Sequence, residues 1–484
     1  MQKGNPKEVV LTRAQSHGQQ GTKPLSQPSG IDPGIYGSLA QTRAIQFEYR
    51  EVDMFKTNNY LHPREELLHA MERIYRYRMT TTSGGNLSIR DTNGNVWITP
   101  ARVDKGSLRR EDIVCVLSSG EIEGSRKPSS ELPIHQEIRL RRPELGGVVH
   151  AHPTALVSFS LVHEVPNTRL FHQARNVCGE VGFAPYELPG SAALGRRVAE
   201  AFQRGYNCVI LENHGVVTAG TTFQEAFRRF ETLEFTAKTI IKARLLGGDI
   251  RFLDDDKLAL EKQRKVRLEE FEPSYPSSQE NELRRSLCEF VRRAYRQRLF
   301  ISTQGSYSAR IDGSSFLITP HQGDRGTVEV QDLVLVSDGR VETGKTPSRA
   351  VTIHEAIYRA HPDVGAVVNA YPVNSTAFSV SGAALDTHTI PESYVVVRNV
   401  GQAPYGMQFG DGRDLAAMFS PSRPALLLEN DGVLVTGGDI LEAFDRLEVL
   451  ESTAEAIINA RAIGALHPLD HEVSRELDRA FFGI

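Results

Sequence analysis

The sequence predicts an α/β protein in which one domain is built twice in tandem. Three observations carry this. Helical and strand-like runs alternate along the chain. Its 484 residues are too many for one ordinary core. The same ordered set of motifs occurs in both halves. After Pro63, Leu67, Leu68, Met71, Ile74 and Tyr75 share one helix face. Short strands are expected at 96–99, 113–117, 147–151 and 208–211. One helix is expected to start at Ser130 and stop before Pro143, and a long one to span 224–246.

The repeat is explicit. SGGNLSIRDTNGNVWITP (83–100) aligns with TQGSYSARIDGSSFLITP (303–320), and KPSSELPIHQEI (127–138) with TPSRAVTIHEAI (346–357). GGVVHAHPTALVSFS (146–160) aligns with GAVVNAYPVNSTAFS (365–379), FAPY (183–186) with QAPY (402–405), and LENHGVV (211–217) with LENDGVL (428–434). The order is the same throughout and the offset stays near 220, as a tandem duplication requires. The expected organisation is a mobile N-terminal tail over 1–58, ordered only near 45–49, then a domain over 59–270. A Pro/Ser-rich linker over 271–280 and a second domain over 281–484 follow.

Composition excludes several classes. A formal charge of -4 gives no reason to expect nucleic acid or an anionic membrane as partner. No apolar run approaches the length of a membrane span, and the first residues lack the apolar core of a signal peptide. Four cysteines are not a disulfide framework, and Cys115, Cys178 and Cys208 sit among apolar neighbours as buried thiols would. A cytoplasmic protein acting on a small molecule is the expectation.

The repeat also works as an internal control. Four changes stand out within matched blocks: Glu131 becomes Ala350, His150 becomes Asn369, His152 becomes Tyr371 and His214 becomes Asp431. The neighbours Val148, Val149, Ala151, Pro153, Asn213 and Gly215 are all kept. The second half has thus lost one carboxylate and three imidazoles. In a strand, His150 and His152 point to one face, where they can converge on one metal ion. His214 follows an apolar strand, and three neutral imidazoles leave a coordination position open for chemistry. Ser130 is placed to cap the helix, putting Glu131 at its positive end. His135 lies one turn further on but persists as His354, so it reads as structural. Glu212, kept as Glu429, reads the same way.

These blocks resemble the class II aldolase/adducin family, over about 59–270 and again over 281–484. That family includes sugar-phosphate aldolases, an epimerase, a dehydratase, decarboxylases and the non-catalytic head of adducin. A Ser-Ser-Glu run opening a helix, an H-x-H pair and a His before Gly carry the resemblance. Here they are Ser129, Ser130 and Glu131, then His150 and His152, then His214. The resemblance implies a three-layer αβα sandwich with a mainly antiparallel central sheet, present twice. It implies one divalent ion per chain on His150, His152 and His214, Zn2+ first, with Fe2+ or Mn2+ as alternatives, and Glu131 as acid/base. Asn86, Ser129 and Ser130 match the family's phosphate pocket. A Thr-Gly pair does not, because Arg102 stands after Thr99-Pro100-Ala101; its guanidinium suits a carboxylate or a differently placed phosphate. The implied activity is a metal-dependent lyase acting on a hydroxy-carbonyl substrate, a sugar phosphate or hydroxy acid. It would cleave an aldol or decarboxylate through an enediolate or enolate. An adducin-like scaffold and a non-haem iron oxygenase are the alternatives. Family members assemble as rings, so a homo-oligomer is expected: two chains forming a four-domain ring, with Tyr394 and His388 as groups lent to a neighbour's site.

Overall fold

The computed structural model describes residues 61–263 and 268–483, and the expected tail over 1–58 lies outside them. The first repeat builds one sheet from β1 (Asn86–Arg90), β2 (Val96–Ile98), β3 (Val114–Val116), β4 (Ile122–Glu123), β5 (Gly147–Ala151), β6 (Val181–Ala184), β7 (Cys208–Leu211) and β8 (Gly215–Gly220). Their spatial order is β4-β3-β2-β1-β5-β8-β7-β6. Only β6 and β7 run parallel; the other neighbours are antiparallel.

The second sheet contains β9 (Glu270–Phe271), β10 (Ser306–Arg310), β11 (Ser315–Ile318), β12 (Val334–Ser337), β13 (Arg340–Glu342), β14 (Ala366–Ala370), β15 (Val400–Ala403), β16 (Ala425–Leu428) and β17 (Val433–Gly437). Its order, β15-β16-β17-β14-β10-β11-β12-β13-β9, is that of the first sheet with β9 added at one edge. Even the register agrees: Asn86 lies opposite His150, and Ser306 opposite Asn369. The start of the expected linker is therefore strand β9, and a helix begins at Ser278, capped by Ser277. The stretch without regular structure shrinks to 272–277.

Local chemistry explains the elements. Helix Pro63–Arg76 has Pro at its start, Glu65 and Glu66 in its first turn, and Arg73 and Arg76 in its last. The long helix Phe223–Leu245 is capped by Thr222, whose hydroxyl accepts from Glu225 N, while Glu225 accepts from Thr221 N. Its counterpart Ile440–Arg461 is capped by Asp439. In β5, Val149 packs into one core and Val148 into another, so both faces of the strand are buried. No helix among the described residues is long and apolar enough to cross a membrane.

One apolar core runs through both repeats. Phe230, Leu233 and Ile240 of the first pack in the same cluster as Phe378, Phe444 and Leu447 of the second. A buried ionic knot also ties them. Glu231, fully buried, accepts from Tyr295 Oη at 2.5 Å, from Arg298 Nη1 at 2.8 Å and from Arg73 Nη2 at 3.3 Å. Arg73 in turn reaches Asp324 at 2.5 Å. Removing one member of such a cluster leaves buried charge without its partner. Glu231→Ala is expected to lower the unfolding free energy by about 3–5 kcal/mol, measured by urea denaturation. A loss below about 1 kcal/mol would place the knot among the weak surface pairs.

Candidate metal centre

His150 lies on β5 opposite Asn86, fully buried. His152 comes directly after the end of β5, two residues beyond His150. His214 sits in the tight turn joining β7 to β8, where Asn213 takes a left-handed φ of 53° and His214 N donates to Leu211 O. The three rings form a nearly equilateral triangle, with centroids 4.8, 4.9 and 4.9 Å apart. One nitrogen from each can be chosen so that all three lie within 4.8 Å of one another, and this is the only such trio found among the described residues. The glycines around it make room. A Cβ on Gly84 would stand 2.9 Å from His152 Nδ1, and one on Gly215 would stand 2.7 Å from His152 Cδ2.

The donor set suits a divalent cation. His150 Nδ1 lies 2.9 Å from Val216 O, which fixes the proton on Nδ1 and leaves the Nε2 lone pair facing the cluster. His152 Nε2 faces that same nitrogen at 3.0 Å. Burial and the neighbouring imidazoles push His152 down to about 3 and His214 down to about 4, so both are neutral ligands at pH 7. Burial also opposes charge on His150, but the Glu131 carboxylate outweighs it and raises that group. The pocket is thus built to hold positive charge beside Glu131.

Glu131 completes the cluster. Its Oε2 lies 3.1 Å from His150 Nε2 and its Oε1 3.5 Å from His214 Nε2. Burial alone would raise its pKa, yet His150, His214 and Asn86 together hold it well below the usual carboxylate range. Ser130 is exposed and does not cap the helix. Glu131 itself occupies the N-cap position of Leu132–Arg141, and its backbone N–H is taken by Ser129 Oγ at 3.2 Å. The helix starts two residues later than expected, with Ser129 Oγ accepting from the N-cap N–H and the Glu131 side chain turned to the imidazoles. Ala350 holds the same N-cap position in the second repeat, with Ser348 Oγ in the role of Ser129.

A directed hydrogen-bond chain ends on this carboxylate. Arg139 Nη2 donates to Ser88 Oγ at 2.8 Å, and Ser88 Oγ lies 2.6 Å from His135 Nδ1. His135 Nε2 lies 2.5 Å from Asn86 Oδ1, and Asn86 Nδ2 donates to Glu131 Oε2 at 2.7 Å. Burial and Arg139 keep His135 neutral. Since Asn86 can only accept at Oδ1, every proton in the chain points towards Glu131. His354 keeps the inner part, with Ser306 and Ser308 on its two nitrogens, but no carboxylate follows. The reading of His135 as structural matches this shared part and leaves out its reach to Glu131. Ser88 and Arg139 went unnoticed in the sequence, where an unmatched pair such as Arg139 and Tyr358 carries no visible signal.

Among the remaining expected site residues, Asn86 and Ser129 touch Glu131, whereas Ser130 and Arg102 are exposed. Arg102, two residues after Pro100, has a left-handed φ of 54° and joins none of these contacts among the described residues. Lys105, also unforeseen, is buried and donates to Pro100 O at 2.7 Å, anchoring that loop. Its counterpart Arg325 does the same for Pro320.

The second repeat answers the cluster with Asn369, Tyr371 and Asp431. There Gln173 of the first repeat enters, donating from Nε2 to Tyr371 Oη at 2.6 Å and to Asp431 Oδ1 at 2.7 Å.

Both repeats, at residues 65–241 and 285–458, match the class II aldolase and adducin N-terminal domain. The chain belongs to this family. The chain is similar to a 5-methylthioribulose-1-phosphate/5-deoxyribulose-1-phosphate aldolase of Rhodospirillum rubrum, 33% identical over 168 residues, which is 34% of this chain and 74% of that protein. An L-fuculose phosphate aldolase of Methanococcus maripaludis is 34% identical over 166 residues, 34% of this chain and 88% of that protein. A 3-oxo-tetronate 4-phosphate decarboxylase of Pectobacterium atrosepticum is 32% identical over 201 residues, 40% of this chain and 90% of that protein.

Proposed function

We propose that the first repeat is a metal-dependent lyase acting on a sugar phosphate, by aldol cleavage or decarboxylation, and that the second repeat is catalytically silent. The observation that carries this is the equilateral three-imidazole cluster with one buried carboxylate against it. The similar proteins named above act on sugar phosphates or a related phosphorylated acid, and both reactions break a carbon bond next to a carbonyl. His150, His152 and His214 would hold one divalent ion, Zn2+ by preference for three nitrogen ligands. When bound, that ion supplies Lewis-acid stabilisation of negative charge on a substrate oxygen.

The rest falls to the chain's own residues. Glu131 Oε2 is tied to Asn86, while Oε1 has no hydrogen-bond partner among the described residues. Oε1 is therefore the atom that takes a proton from the substrate or returns one to the enediolate or enolate left by bond cleavage. The chain from Arg139 through His135 and Asn86 holds that carboxylate in place. Ser129, Ser130 and Asn86 would bind the phosphate, with Arg102 reaching the substrate's other end. We further assign a three-layer αβα arrangement to each repeat, domain limits of 59–270 and 281–484, and a cytoplasmic location. The test is turnover of L-fuculose 1-phosphate, 5-methylthioribulose 1-phosphate and a 3-oxo-tetronate 4-phosphate by metal-loaded protein. Release of an aldehyde fragment or of carbon dioxide from one of them is expected. No product from any, with one ion bound per chain, would overturn the sugar-phosphate assignment.

A further inference from the structure

The silent cluster of the second repeat has lost its nitrogen donors and gained oxygen ones. Asn369 lies opposite Ser306 on β10 as His150 lies opposite Asn86 on β1, so its amide enters the site from the place of the first imidazole. Tyr371 and Asp431 stand at the positions of His152 and His214, and Ala350 offers nothing in place of the Glu131 carboxylate. A fourth group comes from the first repeat, Gln173 on the helix His172–Cys178.

These groups are shut away from solvent and yet leave oxygens unsatisfied. Asp431 is 3%, Asn369 8% and Gln173 9% exposed. The Asn369 amide makes no hydrogen bond among the described residues. Gln173 Nε2 donates to Tyr371 Oη and Asp431 Oδ1, while Gln173 Oε1, which can only accept, is buried with no partner among the described residues. The two amide atoms share one carbon, so Oε1 stays close to both groups that Nε2 touches. Tyr405 Oη is buried without a partner as well. Burial, with Asp431, Glu261 and Asp254 nearby, raises its pKa and keeps it a neutral phenol.

The charges nearby cancel except one. Glu261 pairs with Arg349, and Glu429 with Arg251 at 3.4 Å and Lys257 at 3.8 Å. Buried Arg325 donates to the carbonyls of Gly305, Gly323 and Pro320. Asp431 has no ion pair among the described residues, and the one side-chain donor on its carboxylate is the neutral amide of Gln173. A buried carboxylate left in that state is costly. Carboxylate, carboxamide and phenol oxygens suit a hard cation, whereas zinc prefers nitrogen and sulfur. A single negative charge matches a single positive one, and a divalent ion would leave one charge over.

We propose that the silent site binds one monovalent alkali cation, K+ or Na+, through Asp431, Asn369 Oδ1 and Gln173 Oε1, with Tyr405 Oη beside it. Gln173 belongs to the first repeat and the other ligands to the second, so the ion fastens one repeat to the other. The second repeat then keeps a binding task after losing its transition-metal ligands. The cation site is independent of the lyase reading.

The full chain is the sample throughout, with the same Zn2+ added to each tube, and the comparison reads the same whether or not the first repeat holds that metal. Its thermal midpoint is measured in KCl, NaCl and choline chloride at about 0.15 M each. The preferred alkali ion is expected to raise the midpoint by about 2 °C or more over choline, and the larger of the two rises tells K+ from Na+. Equal midpoints in the three salts would overturn the binding. Asp431→Asn is expected to abolish the difference between salts. Asn369→Ala should do the same, and since Asn369 makes no hydrogen bond, its loss breaks none and keeps the test readable if Asp431→Asn fails to fold. A difference that persists in a folded variant would overturn the placement. Tl+ is the probe of position: crystals soaked in thallous acetate should show an anomalous peak between Asp431, Asn369 and Gln173, and a map with no peak there would overturn the site.

Discussion

Alanine in place of His150 is expected to take the divalent metal content from one ion per chain to none, read by elemental analysis after reconstitution with Zn2+ and gel filtration. The size of the effect follows from how the ligand is held. His150 is fully buried, and its Nδ1 bond to Val216 O aims Nε2 at the other two imidazoles. Two imidazoles remain after the change, too few for a tight tetrahedral site without a new ligand. The wild-type value should be one and not two because Asn369 and Tyr371 are poor ligands, and Asp431 already accepts from Gln173. His163→Ala is the matched control. That imidazole is exposed and pairs with Glu212, so its loss should leave the metal content at one. Two ions per wild-type chain would mean that the second repeat binds metal after all. None after reconstitution would mean that the cluster is not a metal site.

Much of the site was legible because the chain contains its own control. Framework positions such as Val149, Ala151 and Gly215 persist in both halves, so the four lost groups stood out against them. Strand alternation then placed His150 and His152 together, and their nitrogens do meet at 3.0 Å. Strands 147–151 and 208–211 were readable to the residue because each is a short apolar run bounded by Gly or turn residues. The helix start at Leu132 was less so. Ser130 has the right chemistry for a cap, but in both repeats the hydroxyl two residues before the N-cap, Ser129 or Ser348, takes the N-cap N–H, and the helix starts at the matching Leu132 or Val351 whether Glu131 or Ala350 precedes it. Contacts between the repeats were hidden altogether. Gln173 carries no local signal, since what it touches lies 198 and 258 residues away. Side chains that meet only across a tertiary interface have no periodicity to betray them.

Glu131→Gln is expected to keep the metal and lose roughly 10²-fold or more in turnover. The substitution preserves shape: the amide oxygen can still accept from Asn86 Nδ2, at the end of the chain running from Arg139 through Ser88 and His135. What it removes is the second oxygen, Oε1, which in the native protein has no hydrogen-bond partner among the described residues and is free to carry a proton. Because His150, His214 and Asn86 outweigh burial and hold the carboxyl below its usual range, Glu131 is ionised throughout neutral pH. It is ready to accept a proton and releases it easily to the substrate-derived enediolate. Metal content and turnover should be measured on the same preparation, with an anomalous-scattering map to locate the ion. Retained metal with lost turnover is the expected pair. Loss of both would put Glu131 among the metal ligands, and full turnover would leave it only the structural task of neutralising the charge beside His150. Asn86→Ala sharpens the distinction. It removes the donor that positions Oε2 but leaves both oxygens, so turnover should fall by less than in Glu131→Gln while the metal stays bound. An equal or larger fall would mean that Asn86 acts on the substrate directly, as the resemblance to a phosphate pocket implies.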